Sequence, residues 1–226
     1  MCGRYTLFRL DQLLKNFPNL RIPPEMLSHF NIAPTQSVLA IANNHPDQLE
    51  IFHWGLVPSW AKDPSAGNRM INARAETLAE KPAFKTALRR RRCLVPADGF
   101  YEWRKEGGGI KTPMYIHLKS GEMMAFAGLW DVWHSPDGSM LPSLTIVTTA
   151  ANPLMASIHD RMPAIVRKDD RARWLTAGEV EPKDMADILR PFPADEMEAY
   201  PVSTQVNKPA NDSPDCIEKA ETGLLF

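Results

Sequence analysis

Short apolar runs, bounded by Pro, Gly or Asn, recur along most of the chain and predict β-strands. The predicted strands are residues 5–8, 37–41, 49–54, 93–95, 100–104, 114–118, 123–129, 144–149 and 164–166. Apolar positions spaced as on one helix face are fewer, and they predict helices at residues 10–17, 77–88, 153–158, 171–175 and 183–189. Many short strands with a few peripheral helices are typical of an α+β protein built on a largely antiparallel, barrel-like sheet.

The domain organisation predicted from this pattern is simple. No repeat period or low-complexity linker divides the 226 residues, which fit one domain of ordinary size. We therefore predict a single domain over residues 1–226, with a core at about residues 2–207 and an acidic C-terminal tail at about residues 208–226.

Composition narrows the class of protein. Hydrophobic residues make up 44% and charged residues 23%, which excludes disordered and fibrous chains. The 20 prolines outnumber the 12 glycines, so we expect short helices and strands joined by loops of restricted backbone conformation. The longest apolar stretch, residues 123–130, is far below the ~20 residues that cross a bilayer, and the first residues lack a secretory signal. We expect no membrane association and a cytoplasmic, nucleoid-associated protein.

The cysteines bear on redox and metal chemistry. Cys2, Cys93 and Cys216 are too few and too scattered for a disulfide framework or a zinc site. We therefore predict no metal and no other cofactor.

Charge is balanced overall but unevenly distributed. The net charge is −1, yet residues 61–111 hold twelve Lys or Arg against six Asp or Glu, and residues 181–226 hold four against ten. Such polarity can create a local phosphate-binding field on a neutral molecule. Two solvated faces that compensate each other are the alternative interpretation.

Cys2 is the strongest candidate for a reactive nucleophile. Removal of Met1 would leave a cysteine that carries both a free α-amine and a thiol. Their ordinary pKa values, about 7.7–8.0 and about 8.5, leave part of each group nucleophilic near neutral pH, so little activation is expected. An aldehyde would form an imine with the amine, and the sulfur would trap it as a five-membered thiazolidine. The alternative is that Cys2 is a small apolar residue at a frayed terminus.

Three further polar residues stand beside apolar ones. Strand alternation places Glu102 on the same face as Phe100, where burial would suit a carboxyl for acid–base work; a strand glutamate facing water is the alternative. His159 lies between a predicted helix end and a Met-Pro turn and could exchange protons near neutral pH, or could be structural. Asn72 could orient an amine, or could cap a turn.

Aromatic and cationic residues alternate between positions 54 and 74. Trp54 and Trp60 bracket a short loop, and Lys62, Arg69 and Arg74 follow. Rings that stack on bases and cations that neutralise phosphates are what single-stranded nucleic acid requires, although tryptophans are more often core residues. The four arginines at 89–92 indicate less, because adjacent helical residues point in all directions.

In this order, the motifs resemble the SRAP family (SOS response-associated peptidases), the abasic-site processing proteins that shield apurinic sites in single-stranded DNA. The matching segments are residues 1–4, 31–34, 54–60, 71–77, 96–103 and 159–163, and the likeness extends from residue 2 to about residue 207. One position differs from a pattern found in family members: Ala61 follows Trp60 where a second aromatic can stand.

The resemblance implies a function and roles for residues. Cys2 would bond covalently to the abasic-site aldehyde, with Asn72 holding the amine, Glu102 moving protons and His159 assisting sugar ring opening. The residues implied to contact single-stranded DNA are Arg4, Pro34, Pro58, Trp60, Arg74 and Arg161. The family name further implies a peptidase that removes its own Met1, and some members cleave the strand as lyases or reverse the crosslink.

Two other functions remain open on the residues alone. The chain could be a non-covalent single-strand binding module in which Cys2 is incidental, or a cysteine peptidase acting on other proteins. We expect a monomer.

Overall fold

The computed structural model describes residues 2–22 and 26–220; the predicted loss of Met1 and the last part of the predicted tail, 221–226, lie outside them. The strands are β1 (Tyr5–Leu7), β2 (His29–Ile32), β3 (Ser37–Ala42), β4 (Glu50–Trp54), β5 (Asn72–Arg74), β6 (Arg92–Ala97), β7 (Gly99–Lys105), β8 (Lys111–Leu118), β9 (Met124–His134), β10 (Met140–Ala150), β11 (Arg161–Pro163) and β12 (Met197–Pro201). The α-helices are α1 (Leu13–Asn16), α2 (Pro82–Arg90), α3 (Pro153–Ala156) and α4 (Arg171–Trp174).

Short 3-10 segments complete the described elements. They are Leu10–Gln12, Pro64–Arg69, Ala75–Thr77, Gly107–Gly109, Lys168–Asp170, Pro182–Asp184, Ala186–Leu189, Ala194–Glu196, Thr204–Asn207 and Pro214–Ile217. Three of these segments begin at a proline, Pro64, Pro182 or Pro214, a residue that begins helices readily but cannot continue them.

Five strands close into a barrel. β10 pairs with β4, and the order continues through β3 and β6 to β9, which pairs back with β10. All of these pairings are antiparallel except β10 with β4. A second antiparallel sheet has the order β12-β8-β7-β1-β2. The predicted α+β class, with a largely antiparallel barrel-like core and short peripheral helices, is confirmed.

The two sheets share one hydrophobic core. Tyr5, from the second sheet, packs edge-on against Trp54 and Phe126 of the barrel, with ring centroids 5.4 and 6.0 Å apart. A smaller cluster covers the other face of the second sheet and includes Tyr101 and Cys216. Cys216 belongs to the predicted acidic tail, so the described part of that tail packs against the sheet.

Most predicted strands are present, with ends shifted by a few residues. The strand predicted at 164–166 is wrong: β11 ends at Pro163, and Ile165 forms only an isolated bridge with Phe126. The predictions omitted β2, β5, β11 and β12, which are too short or too polar to show a period of two.

Two predicted helices also differ from the structure. The helix predicted at 77–88 is a 3-10 turn followed by α2, because Pro82 starts a new helix at its first position. Residues 183–189 form 3-10 turns rather than an α-helix.

Candidate functional site

The N-terminal segment runs beside β7. Tyr5 is paired with Phe100 and Thr6 with Gly99, and the Tyr101 N–H donates to the carbonyl of Arg4 over 2.9 Å. On the other side of β7, Gly99 makes room for β8, since a Cβ there would lie 2.5 Å from the ring of Tyr115. The pairing therefore brings Cys2 to the stretch of β7 that carries Glu102.

Cys2 is held from a second direction by Asn72. Cys2 is 0% exposed, and the carbonyl oxygen of Cys2 accepts a 2.8 Å hydrogen bond from Nδ2 of Asn72. Asn72 begins β5, which pairs in parallel with β10 opposite Ile146. The Oδ1 atom of Asn72 is buried, and among the described residues it has no hydrogen-bond partner. That acceptor lies on the same side-chain amide that holds Cys2.

Glu102 is buried rather than facing water, with 3% of the residue exposed. The predicted alternation along β7 is confirmed, since Phe100 belongs to the main core whereas Tyr101 and Trp103 pack in the smaller cluster. Burial and the negative charge of Glu102 raise the pKa of the Cys2 thiol far above its ordinary value. A thiol so placed holds its proton, whereas the expectation of little activation concerns Cys2 after the loss of Met1 and stays a prediction.

His159 follows α3, as the sequence predicted, and its backbone N–H donates to the carbonyl of Met155 over 2.7 Å. Its Nδ1 accepts the backbone N–H of Arg161 over 3.0 Å and lies 2.9 Å from Oδ1 of Asp160. Because Nδ1 acts as an acceptor, the neutral ring carries its proton on Nε2, and Asp160 forms an ion pair only with the protonated ring. His159 also lines an open groove of about 600 Å³, together with Trp103 and Lys105.

Two short strands that carry candidate residues, β5 and β11, both pair with β10. β5 pairs with it at residues 146–148, and β11 pairs with it at residues 148–150, where Arg161 lies opposite Ala150. Asn72, Arg74 and Arg161 are therefore carried by two short strands that flank the same part of β10. No sequence period reveals this arrangement, since β5 and β11 have three residues each.

The two predicted phosphate contacts near this strand differ in environment. Arg74 is exposed and has no ion pair among the described residues. Arg161 donates from Nη1 and Nη2 to the two carboxylate oxygens of Glu76 over 2.7 and 2.9 Å, and from Nη2 to the carbonyl of Thr148 over 2.6 Å. Sequence reasoning gave Glu76 no role, although it lies within the motif of residues 71–77.

The other predicted DNA contacts lie on different elements. Arg4 is half-buried, donates to Oδ1 of Asn31 over 2.8 Å and to the carbonyl of Val206 over 2.7 Å, and lies 5.7 Å from the ring centroid of Trp103. Burial lowers the pKa of this guanidinium. Pro34 is half-buried in the turn between β2 and β3.

Trp60 is the exposed aromatic of the set, with 66% of the residue accessible, whereas Pro58 is buried. Two bonds fix the loop on either side of it. The Ser59 N–H donates to Asp131 over 2.9 Å, and Nε1 of Trp133 donates to the carbonyl of Ala61 over 2.7 Å. Trp60 is thus presented to solvent from an anchored loop.

The arginine run at 89–92 is used within the protein. Arg89 and Arg90 pair with Glu179, Arg91 pairs with Asp131, and Arg92 is buried with its donors on backbone carbonyls. This run is therefore not a free basic patch.

Two features of the described residues bear on possible partners. Among residues 2–22 and 26–220, no helix has the length and apolar character needed to cross a membrane. Over the same residues, no three His, Cys, Asp or Glu side chains are grouped so that they could hold a metal ion.

Comparison with known proteins covers the whole site. Residues 1–209 match the family model described as SOS response associated peptidase (SRAP). The abasic site processing protein YoqW of Bacillus subtilis (strain 168) is 46% identical over 222 residues, which cover 96% of this chain and 99% of the relative. The abasic site processing protein HMCES of Mus musculus is 32% identical, covering 98% of this chain and 76% of the relative.

Solved structures agree on the fold. A Bacteroides thetaiotaomicron protein superposes with a TM-score of 0.86 at 26% identity, covering 97% of this chain and all of its own. A Bordetella bronchiseptica protein gives a TM-score of 0.78 at the same identity, covering 89% of this chain. The family match contains every candidate residue described above, from Cys2 to Arg161.

Proposed function

The chain belongs to the SOS response associated peptidase (SRAP) family, and we propose that it captures abasic sites in single-stranded DNA through its second residue. The relatives named as abasic site processing proteins support the substrate class. The observation that carries the proposal is the hydrogen bond from Asn72 to the carbonyl of Cys2, beside the buried Glu102.

The covalent step uses two groups of one residue. Hydrolysis of the Met1–Cys2 peptide bond, an activity that we also propose for this chain, frees the α-amine of Cys2. The amine attacks the abasic-site aldehyde, and loss of one water gives an imine. The thiol then adds to the imine carbon, a carbon–sulfur bond forms, and the thiol proton passes to nitrogen. The product is a thiazolidine that joins protein to DNA.

The raised pKa of the Cys2 thiol fits this order of events. A protonated thiol is a weak nucleophile, so the amine reacts first and the sulfur reacts when the imine is in place. Oδ1 of Asn72 can accept an N–H of the amine while Nδ2 keeps the carbonyl of Cys2 fixed.

Proton transfer is required before capture, because an abasic deoxyribose rests mostly as a closed hemiacetal. Opening the ring needs a donor for the ring oxygen and an acceptor for the hydroxyl proton. We assign these tasks to Glu102 and His159. His159 lines the groove and is the proton donor in this assignment. Elimination of the 3′ phosphate from the imine would cleave the strand, and addition of water to the imine would return the aldehyde and the free amine. We therefore also propose strand cleavage and crosslink reversal as activities.

The DNA strand needs contacts on both sides of the lesion. We assign phosphates to Arg74 and Arg161 and contacts with the bases to the exposed Trp60 and to Pro58 of the same loop. Arg4 and Pro34 would line the path of the strand, with Arg4 anchored against Asn31. The predicted monomer and the predicted cytoplasmic location stay predictions.

The test is adduct formation with an oligonucleotide that contains one abasic site. The wild-type protein should give a heat-stable species on a denaturing gel whose mass equals protein without Met1 plus DNA minus one water. Cys2→Ala should give none, and Cys93→Ala, which removes a different buried thiol, should react normally. An adduct with Cys2→Ala would overturn the proposal. So would its absence from wild-type protein that mass spectrometry shows to lack Met1.

A further inference from the structure

Both terminal nitrogens of Arg161 are engaged within the protein, whereas its buried Nε has no hydrogen-bond partner among the described residues. Both of its terminal nitrogens donate to the carboxylate of Glu76, and Nη2 also donates to the carbonyl of Thr148. Only 13% of its side chain is exposed, whereas half of the Glu76 side chain is exposed. The guanidinium of Arg161 is therefore bonded both to the backbone of β10 and to the carboxylate of Glu76.

A carboxylate and a phosphate compete for the same donors. Arginine binds either of them through two parallel N–H groups, so one oxyanion must leave before the other can bind in that way. The hydrogen bond from Arg161 lowers the pKa of Glu76, so this carboxylate stays charged at neutral pH. Arg74, two residues before Glu76, carries no such partner among the described residues.

We propose that Glu76 occupies Arg161 as a stand-in for a DNA phosphate, and that binding of the strand exchanges the carboxylate for a phosphate. The inference rests on the proposed function, because it needs Arg161 to contact DNA. Arg74 accepts a phosphate at once, whereas Arg161 binds the next only when Glu76 swings out toward solvent.

The exchange makes Arg161 a selective contact rather than a general one. A single phosphate or a short anion gains little by displacing a carboxylate of equal charge. A strand already held elsewhere presents its phosphate at high local concentration and can complete the exchange. Glu76 thereby lowers the affinity for anions in general and favours strands that reach along the whole site.

The experiment measures the affinity for an intact single-stranded oligonucleotide, which has no aldehyde and so excludes the covalent step. Glu76→Gln keeps the shape of the side chain and removes its charge. We expect binding to tighten by about two- to fivefold, the size of effect that loss of an exposed ion pair gives. The slope of log affinity against log salt should stay unchanged, because Arg161 contacts the same phosphate in both complexes.

Glu80→Gln is the matched control. Glu80 is exposed, lies four residues away and has no ion pair among the described residues, so this variant changes the net charge equally without freeing an arginine. A second control repeats Glu76→Gln in an Arg161→Gln background, where the gain should shrink because there is no guanidinium to release. Thermal melting of each variant confirms that it is folded.

The outcomes separate the possibilities. Tighter binding with Glu76→Gln, beyond that of Glu80→Gln and dependent on Arg161, supports the exchange. Weaker binding would mean that Glu76 positions Arg161 and does not leave. An equal gain in affinity with Glu76→Gln and Glu80→Gln would mean that the effect comes from the change in net charge alone. Either result overturns the proposal. Failure of the wild-type protein to form an abasic-site adduct would instead contradict the proposed function.

Discussion

Nδ2 of Asn72 donates to the carbonyl oxygen of Cys2 over 2.8 Å, joining residues 70 positions apart in the chain. This bond fixes the backbone of the residue whose amine and thiol are proposed to react. Its partner atom Oδ1 is buried and open to a donor among the described residues. One side-chain amide therefore serves both to position Cys2 and to receive its amine.

Replacing Asn72 should slow capture without preventing folding. In Asn72→Asp the side chain keeps its shape but cannot donate to the carbonyl of Cys2. We expect a decrease in the single-turnover crosslinking rate of roughly tenfold or more, since a lost positioning bond of about 1.4 kcal/mol has that effect. Asn44→Ala, an exposed asparagine in the turn between β3 and β4, is the control. A normal rate in Asn72→Asp would remove Asn72 from the mechanism.

Glu102→Gln separates proton transfer from binding. The amide fills the same buried place but cannot exchange a proton, so the crosslinking rate should fall by about 10²- to 10⁴-fold. Affinity for an intact strand should change little, because Glu102 is buried. Glu106→Gln, on the exposed loop that follows β7, should behave as wild type in both assays. Equal loss of affinity and rate would indicate a structural role instead.

The parts of this site that sequence alone could predict depend on local backbone geometry. Glu102 lies where strand alternation placed it, on the same face as Phe100, and His159 lies at the end of a short helix. These positions follow from neighbours within a few residues. The same local reasoning located most strands of the barrel.

The parts that could not be predicted depend on distant pairing. The bond of Arg161 with Glu76 spans 85 positions, and it exists because β5 and β11 meet on β10. The protonated state of the Cys2 thiol follows from its burial beside Glu102, which residue identities do not reveal. Arg89, Arg90 and Arg91 likewise find acidic partners far along the chain.

Buried thiols should make stability depend on alkaline pH. Burial raises the pKa of Cys93, so the folded chain keeps a proton that the unfolded chain releases above about pH 8.5. The contribution is present in full below that pH, and the free energy of unfolding then falls by up to about 1.4 kcal/mol per pH unit for each such thiol. Urea denaturation between pH 7 and 10 measures this slope.

Cys93→Ala supplies the comparison for that slope. The substitution leaves a small cavity, which lowers stability at every pH, but it should also flatten the alkaline decline by one thiol. Curves for the variant and the wild-type protein that stay parallel up to pH 10 would contradict the assignment. Cys2, whose pKa is raised by burial and by Glu102, should account for a second part of the decline.

Trp60 should contribute to DNA affinity and not to stability. It is 66% exposed on a loop held by Asp131 and Trp133, so its removal disturbs no core packing. Trp60→Ala should weaken binding of an intact single strand by about 1–3 kcal/mol, the value of one stacked base, and Trp60→Phe should restore part of it. Ile51→Ala, at 60% exposure, is the control for loss of an exposed apolar side chain. If both alanine variants bind equally well, stacking on Trp60 is excluded. A selective loss would mean that the anchored loop presents an effective stacking surface even with Ala61 beside it, because Trp133 fixes the carbonyl of Ala61.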